Sequence, residues 1–207
     1  MRQPVRYLIT TMTRYLSKIT IGIDPASNGA AVILVNGVMA VALAWKPRTR
    51  QKKRVYEISM LDDEGTFEQV IVKSGGAIGL YITNLLIVRK ALENGTLIEL
   101  ACEDAYIGKN FKTGIIVARF GGCISGVIEA VCDVKTNWVQ AIKWRHFLFR
   151  LNPFTSRKKA KFSSLKLIPI LLCDINIYIE RLGQLDHITD AAGVALWLFK
   201  STTDKWK

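Results

Sequence analysis

The sequence predicts an α/β fold: a mixed, five-stranded sheet whose first three strands are antiparallel, flanked by helices. Three observations point there. Apolar runs joined by tight turns open the chain, segments of helical spacing then alternate with two further apolar runs, and acidic residues stand at the ends of those runs.

Taken in order, Ile19 to Ile23 reads as a buried strand, followed by strands at Ala31–Val35 and Val38–Leu43. Asn36-Gly37 between the last two is a two-residue hairpin signal, so these strands form a meander with Asp24 at one end of its first and central member. The stretch from Lys46 to Gln69 is charged and turn-rich, and is expected to be a solvated extension or loop. Helical spacing from Gly76 to Glu93, stopped by Asn94-Gly95, predicts one amphipathic helix. A fourth strand is expected in TLIELACED, residues 96–104, and again carries acid to its end. Residues 112–131 predict a helix with small residues at Gly121, Gly122, Ser125 and Gly126, which suits a close-packed neighbour. A fifth strand at 137–142 is followed by a short helix in WRHFLF and a basic loop in TSRKKAKFSS. A helix near 162–182, kinked at Pro169, and a last helix at Asp186–Lys200 complete the chain. The acidic first turn of that last helix suits the helix dipole. The expected organisation is a basic N-terminal arm at 1–18, one domain at 19–200 and a tail at 201–207.

Lys and Arg number 29 against 17 Asp and Glu, a formal charge of +12, which makes a polyanion the first partner to expect. The cations are clustered: KPRTRQKKR at 46–54 holds six bases and no acid, and residues 134–173 hold nine bases and no acid. Cys102, Cys123, Cys132 and Cys173 lack CxxC spacing, which speaks against a zinc knuckle or a disulfide framework and for reduced, cytoplasmic surroundings. The apolar runs near 77–88 and 164–179 are short or interrupted, so no membrane partner is expected. The basic first 18 residues leave an organelle address open.

The acids form the candidate chemistry. Asp24 ends the first strand, Glu103 with Asp104 ends the fourth, and Asp186 and Asp190 flank His187 on the last helix. Adjacent strands lie about 5 Å apart, so pairing of the first and fourth would bring Asp24 beside Glu103. His187 and Asp190 are three apart, Asp186 and Asp190 four apart, and either pair can share a helix face. Singly, each acid has an ordinary explanation as a turn former, helix cap or solvated strand end. Together they would repel unless a cation neutralised them, and such donors suit Mg²⁺ or Mn²⁺.

With those residues in place, the chain resembles the RuvC family of Holliday-junction resolvases, and in particular phage-type members, on the ribonuclease H-like fold. The resemblance rests on IGIDPASNGAAVIL at 21–34, ACEDAYIG at 101–108 with the Gly-rich helix after it, VQAIKWRHFL at 139–148 and DHITDAAGVALW at 186–197. It implies that Asp24, Glu103 and Asp190 are catalytic metal ligands and selects His187 as the fourth, with Asp186 as the alternate. It implies two divalent ions per site, a bacterial or phage origin, a homodimer and a four-way DNA junction as substrate. Tyr106 stands where the family places an aromatic that stacks on bases. Lys109, Lys112 and Arg119, and a second cluster of Arg157, Lys158, Lys159 and Lys161, suit contacts to phosphates.

The expected activity is metal-dependent hydrolysis of a phosphodiester near the branch, leaving a 5′-phosphate and a 3′-hydroxyl. Two other readings remain: a ribonuclease H-like nuclease on another branched or hybrid substrate, and a junction-binding protein that does not cut.

Overall fold

A computed structural model describes residues 18–104, 111–152 and 154–203. Five strands come first: β1 (Lys18–Asp24), β2 (Gly29–Val35), β3 (Val38–Arg50), β4 (Lys53–Asp62) and β5 (Phe67–Val72). Helices α1 (Gly75–Asn84) and α2 (Leu86–Glu93) lead to β6 (Leu97–Glu103), α3 (Phe111–Cys132) and β7 (Thr136–Val139). The chain ends with α4 (Ala141–Phe149), α5 (Arg157–Leu171), α6 (Ile175–Leu182) and α7 (Leu185–Thr203). Lys18, assigned to the arm by sequence, is the first residue of β1 and pairs with Glu99 at 2.7 Å.

Among the described residues the sheet has seven strands, not five, in the order β5-β4-β3-β2-β1-β6-β7. The expected strands form its centre: β1 to β3 are antiparallel neighbours, and β6 and β7 add in parallel on the other side of β1. The two extra strands come from the charged stretch read as a loop. There β3 runs on to Arg50 and pairs with β4 along its length, and β5 closes the edge. Their turn at Gln51 and Lys52 is left-handed, with φ of 49° and 62°, and contains neither Asn nor Gly. That turn chemistry is why the hairpin is silent in the sequence.

Three other expectations are corrected. The helix at 76–93 is two helices, broken where Leu85 adopts ψ 137° and its amide bonds back to Ile82. The helix near 162–182 is also two, α5 and α6, and α5 tolerates Pro169 in its last turn. The basic segment 157–161 is no loop: it forms the first turn of α5, capped by Ser156, whose hydroxyl accepts from the Lys159 amide.

Side chains alternate across β1, so Ile19, Ile21 and Ile23 face a core shared with Ile78, Ile124 and Ile128 of α1 and α3. The other face is lined by small residues. Ala30, Ala42, Ala44 and Ala101 meet Ala191, Ala192 and Ala195 of α7, with Trp144 of α4 beside them. Small residues on both partners bring α7 close to the sheet. A Cβ added to Gly22 would lie 2.3 Å from the Ala191 carbonyl oxygen and 2.5 Å from the Ala195 nitrogen. Helix α3 is long and apolar enough, by length and composition, to cross a membrane. Within the fold it packs along α1, where Gly79 meets the Ile124 backbone.

Gly22→Ala is expected to cost about 2 to 3 kcal/mol in denaturant unfolding, as overpacking of a tight contact does. Gly126→Ala, in α3 with nothing within 4 Å of an added Cβ, is expected to be neutral or to gain up to about 1 kcal/mol. Equal stability of Gly22→Ala and wild type would contradict the close approach of α7.

Candidate functional site

The register of β1 against β6 pairs Ile23 with Cys102, so Asp24 and Glu103 come next on neighbouring strands. Both leave the sheet on the face that α7 covers, because they alternate with Ile23 and Cys102 of the opposite core. The α7 register does the rest. Ala191 sits on Gly22, and one helical turn before it, about 6 Å, is His187; two residues along β1, about 6.6 Å, is Asp24. The imidazole Nδ1 of His187 accordingly donates to Asp24 Oδ2 at 2.6 Å.

The loop after Asp24 is fixed as well. Asp24 Oδ1 accepts from the Ala26 amide at 3.3 Å, and Trp45 Nε1 donates to the Ala26 carbonyl at 3.0 Å. Gly29 is needed there, since a Cβ would lie 2.5 Å from the Trp45 ring.

Asp190, one helical step from His187, is 4% exposed. Its Oδ1 accepts from Arg145 Nη2 at 2.6 Å, and Arg145 itself is 6% exposed. Lys161 of α5 reaches Asp190 Oδ2 at 3.4 Å and Asp186 Oδ2 at 3.3 Å. Next to Arg145, Trp144 donates through Nε1 to Glu103 Oε2 at 3.0 Å. The Trp144-Arg145 pair of α4 thus grips both acids, and sequence reasoning named neither. Gly193 allows it, because a Cβ there would lie 2.4 Å from the Trp144 ring.

Of the residues singled out in the sequence, the fold therefore gathers Asp24, Glu103, His187 and Asp190. Asp186 points away: it is exposed and contacts Lys161, whereas its neighbour His187 contacts Asp24. Asp104 is exposed, with its amide on the Val139 carbonyl at 2.8 Å. Lys112 and Arg119 are exposed on α3, and Lys158 and Lys159 are exposed at the start of α5. Lys161 is half-exposed and reaches the acids with its ammonium. Tyr106, Lys109 and the side chain of Arg157 lie outside the described residues. A cleft of about 420 Å³ opens beside His187, lined by Asn28, Lys46, Gln184 and Asp186. A larger apolar cavity of about 650 Å³ lies at the other end of the sheet, by Val35 and Val38, and contains none of the four.

The gathered charges act on one another. Burial, then Asp190 and Asp24, push the Glu103 carboxyl up to about 8. Burial raises Asp190 too, against the pull of Arg145. The hydrogen bond to Asp24 raises His187 above the usual histidine range. For Lys161, burial pulls downward, but Asp190 and Asp186 outweigh it and the net direction is up.

Three carboxylates and an imidazole have the chemistry of a site for a hard divalent ion, and the unrelieved charge at Glu103 is what such an ion would neutralise. In the arrangement observed, no three donors among the described residues are disposed to hold one ion. Asp190 is engaged by Arg145 and Lys161, and Asp24 by His187.

No family model matches the chain, and no curated protein matches it by sequence. Among solved structures it is similar to a Thermus thermophilus RuvC structure, with 12% identity over 90% of this chain and 96% of that one and a TM-score of 0.45.

The pKa directions fix the sign of the pH dependence without added metal. Glu103 binds its proton more tightly folded than unfolded, so its contribution to stability is full below about 4.5 and is lost as pH rises to about 8. Asp190 and His187 are raised as well and act in the same direction. The melting temperature in EDTA is expected to fall from pH 5 to pH 8, and Glu103→Gln to flatten that fall. A wild-type melting temperature that rises over this interval would contradict the assignment.

Proposed function

We propose that the chain is a metal-dependent endonuclease acting on branched DNA. The observation that carries this reading is the convergence of Asp24, Glu103, His187 and Asp190 at one sheet end in a chain of charge +12. Catalytic sites are where like charges are held together against their mutual repulsion. The motif resemblance to RuvC supports the same reading and makes a four-way junction the expected substrate.

Asp24, Glu103 and Asp190 would hold the cation, with His187 as a nitrogen donor or as the base that takes a proton from the attacking water. A bound Mg²⁺ or Mn²⁺ supplies charge neutralisation at the scissile phosphate and favours ionisation of a water nucleophile. His187 is suited to the second role because Asp24 fixes its Nδ1, orienting the ring and leaving Nε2 to exchange the proton. The Lys46 side of the cleft and the exposed cations of α3 and α5 would position the phosphate chain.

A second reading has its own observation. Arg145 and Lys161 already neutralise Asp190, as they would in a junction-binding protein that does not cut.

A fixed four-way junction incubated with the protein and Mg²⁺ or Mn²⁺ is expected to show paired symmetric nicks, absent in EDTA. Asp24→Asn should lose several kcal/mol of transition-state stabilisation, about 10²-fold or more in rate, while still binding the junction. Binding without cutting under every metal condition would favour the second reading. Because a junction must be cut in two strands, light scattering is expected to show a dimer.

A further inference from the structure

The basic segment 46–54 is not a solvated loop but a ribbon with a direction. Asp24 pairs with Ala30, and Ala30 with Ala44, so Ala44 marks the level of the candidate site in the sheet. β2 ends its pairing at Trp45 and β5 at Tyr56. Beyond them β3 and β4 pair only with each other, from Arg48–Val55 to Arg50–Lys53. Six residues at about 3.4 Å each carry the tip roughly 20 Å past the level of Asp24, on the side where the acids lie.

This ribbon is loaded against its own stability. Arg50 lies directly opposite Lys53, and like charges in a cross-strand pair repel. The tip residues Gln51 and Lys52 adopt left-handed backbone, which costs energy for residues other than Gly. Glu57 answers Lys46 at 2.9 Å and Arg48 at 3.0 Å. Arg50, Lys52 and Lys53 have no ion pair among the described residues, and all three are exposed. Its base is firm: Tyr56 packs on Phe120 of α3 with ring centroids 4.8 Å apart.

We propose that this hairpin is an arm that grips the phosphate backbone of a duplex leading into the candidate site. The inference rests on the nuclease reading for its partner and adds the surface that holds it. A rigid ribbon with an unpaired cationic tip gains phosphate contacts that release counterions and relieve its own repulsion.

The test is binding of a four-way junction and of a linear duplex, by fluorescence anisotropy across a salt series, to wild type and to Arg50→Gln/Lys52→Gln/Lys53→Gln. The variant should bind both DNAs at least ~10-fold more weakly at low salt, and its log–log salt slope should be shallower by about 2 to 3. Its melting temperature should be unchanged or higher, since repulsion is removed. A control, Arg89→Gln/Lys90→Gln/Lys200→Gln, removes the same charge far from the arm and should change binding little. Equal losses in the two triple variants, or no loss in the arm variant, would overturn the proposal while leaving the nuclease reading intact. Failure of wild type to bind either DNA would overturn both.

The burial of Arg145 independently carries a second inference. Lys161 is half-exposed on a flexible stem and can swing away from Asp190; Arg145 cannot, being enclosed and stacked on Trp144 with its guanidinium carbon 4.6 Å from the ring centre. Its Nε, also buried, has no hydrogen-bond partner among the described residues. We infer that Arg145 is a resident counter-cation which takes one cation place and positions Asp190, leaving room for a single divalent ion, where the resemblance implied two. This too rests on the nuclease reading.

Titration with Mn²⁺ followed by electron paramagnetic resonance reads the number of ions bound. Wild type and Arg145→Lys should bind one per chain and Arg145→Gln two, with a larger Mn²⁺-induced rise in melting temperature for Arg145→Gln. Equal stoichiometry in wild type and Arg145→Gln would overturn the inference. If neither bound an ion, the metal-nuclease reading would fall with it. If only Arg145→Gln bound one, the role of Arg145 would stand and the metal-nuclease reading of the native chain would fall.

Discussion

The contact of α7 with β1 at Gly22 is the constraint from which the rest of the candidate site follows. A strand rises about 3.3 Å per residue and a helix about 1.5 Å, so two strand residues nearly match one helical turn. Once Ala191 rests on Gly22, His187 must lie beside Asp24. Parallel pairing of β1 with β6 places Glu103 in the next lane, and Gly193 admits the Trp144 ring, which brings Arg145 to Asp190. β1 and β6 contribute one acid each, α7 contributes His187 and Asp190, and α4 contributes Trp144 and Arg145, while glycine or alanine at the crossing points sets how close they come.

Electrostatics then makes the site conditional. Three carboxylates near one another in a partly dry corner are unfavourable as a bare set, and the chain meets them with two cations of its own and an imidazole. Those pairs do not cancel the whole imbalance: Glu103, hydrogen-bonded to the Trp144 indole, stays raised by burial first and then by Asp190 and Asp24, and Arg145 offsets this only in part. The fold holds this cluster ready for an added positive charge and, at Asp190, already provides one.

Much of the architecture was legible because local and global signals agree in the centre of the sheet. The run Ile19–Ile23 alternates large side chains toward one core with Thr20 and Gly22 toward the other, and Asn36-Gly37 adopts the positive φ that its residues favour. The edge was not legible, because β4 is rich in charge and the β3–β4 hairpin turns through Gln51-Lys52. Basic residues at a helix start oppose the dipole, which hid the first turn of α5. Asp24 and Glu103 stood out because each ends a strand, and His187 and Asp190 because they share a face within the first two turns of the last helix. Trp144 and Arg145 stand in the VQAIKWRHFL segment but were not singled out, since they lie mid-helix in an acid-free stretch and only α7 shows what they face.

The central claim is that these four side chains form a cation site, and anomalous diffraction from crystals grown in Mn²⁺ tests it most directly. The account predicts an anomalous peak within coordination distance of Asp24 and Glu103, on the α7 face of the sheet. Density showing Asp24 still on His187 and Asp190 still on Arg145, with no peak between the acids at saturating Mn²⁺, would contradict it.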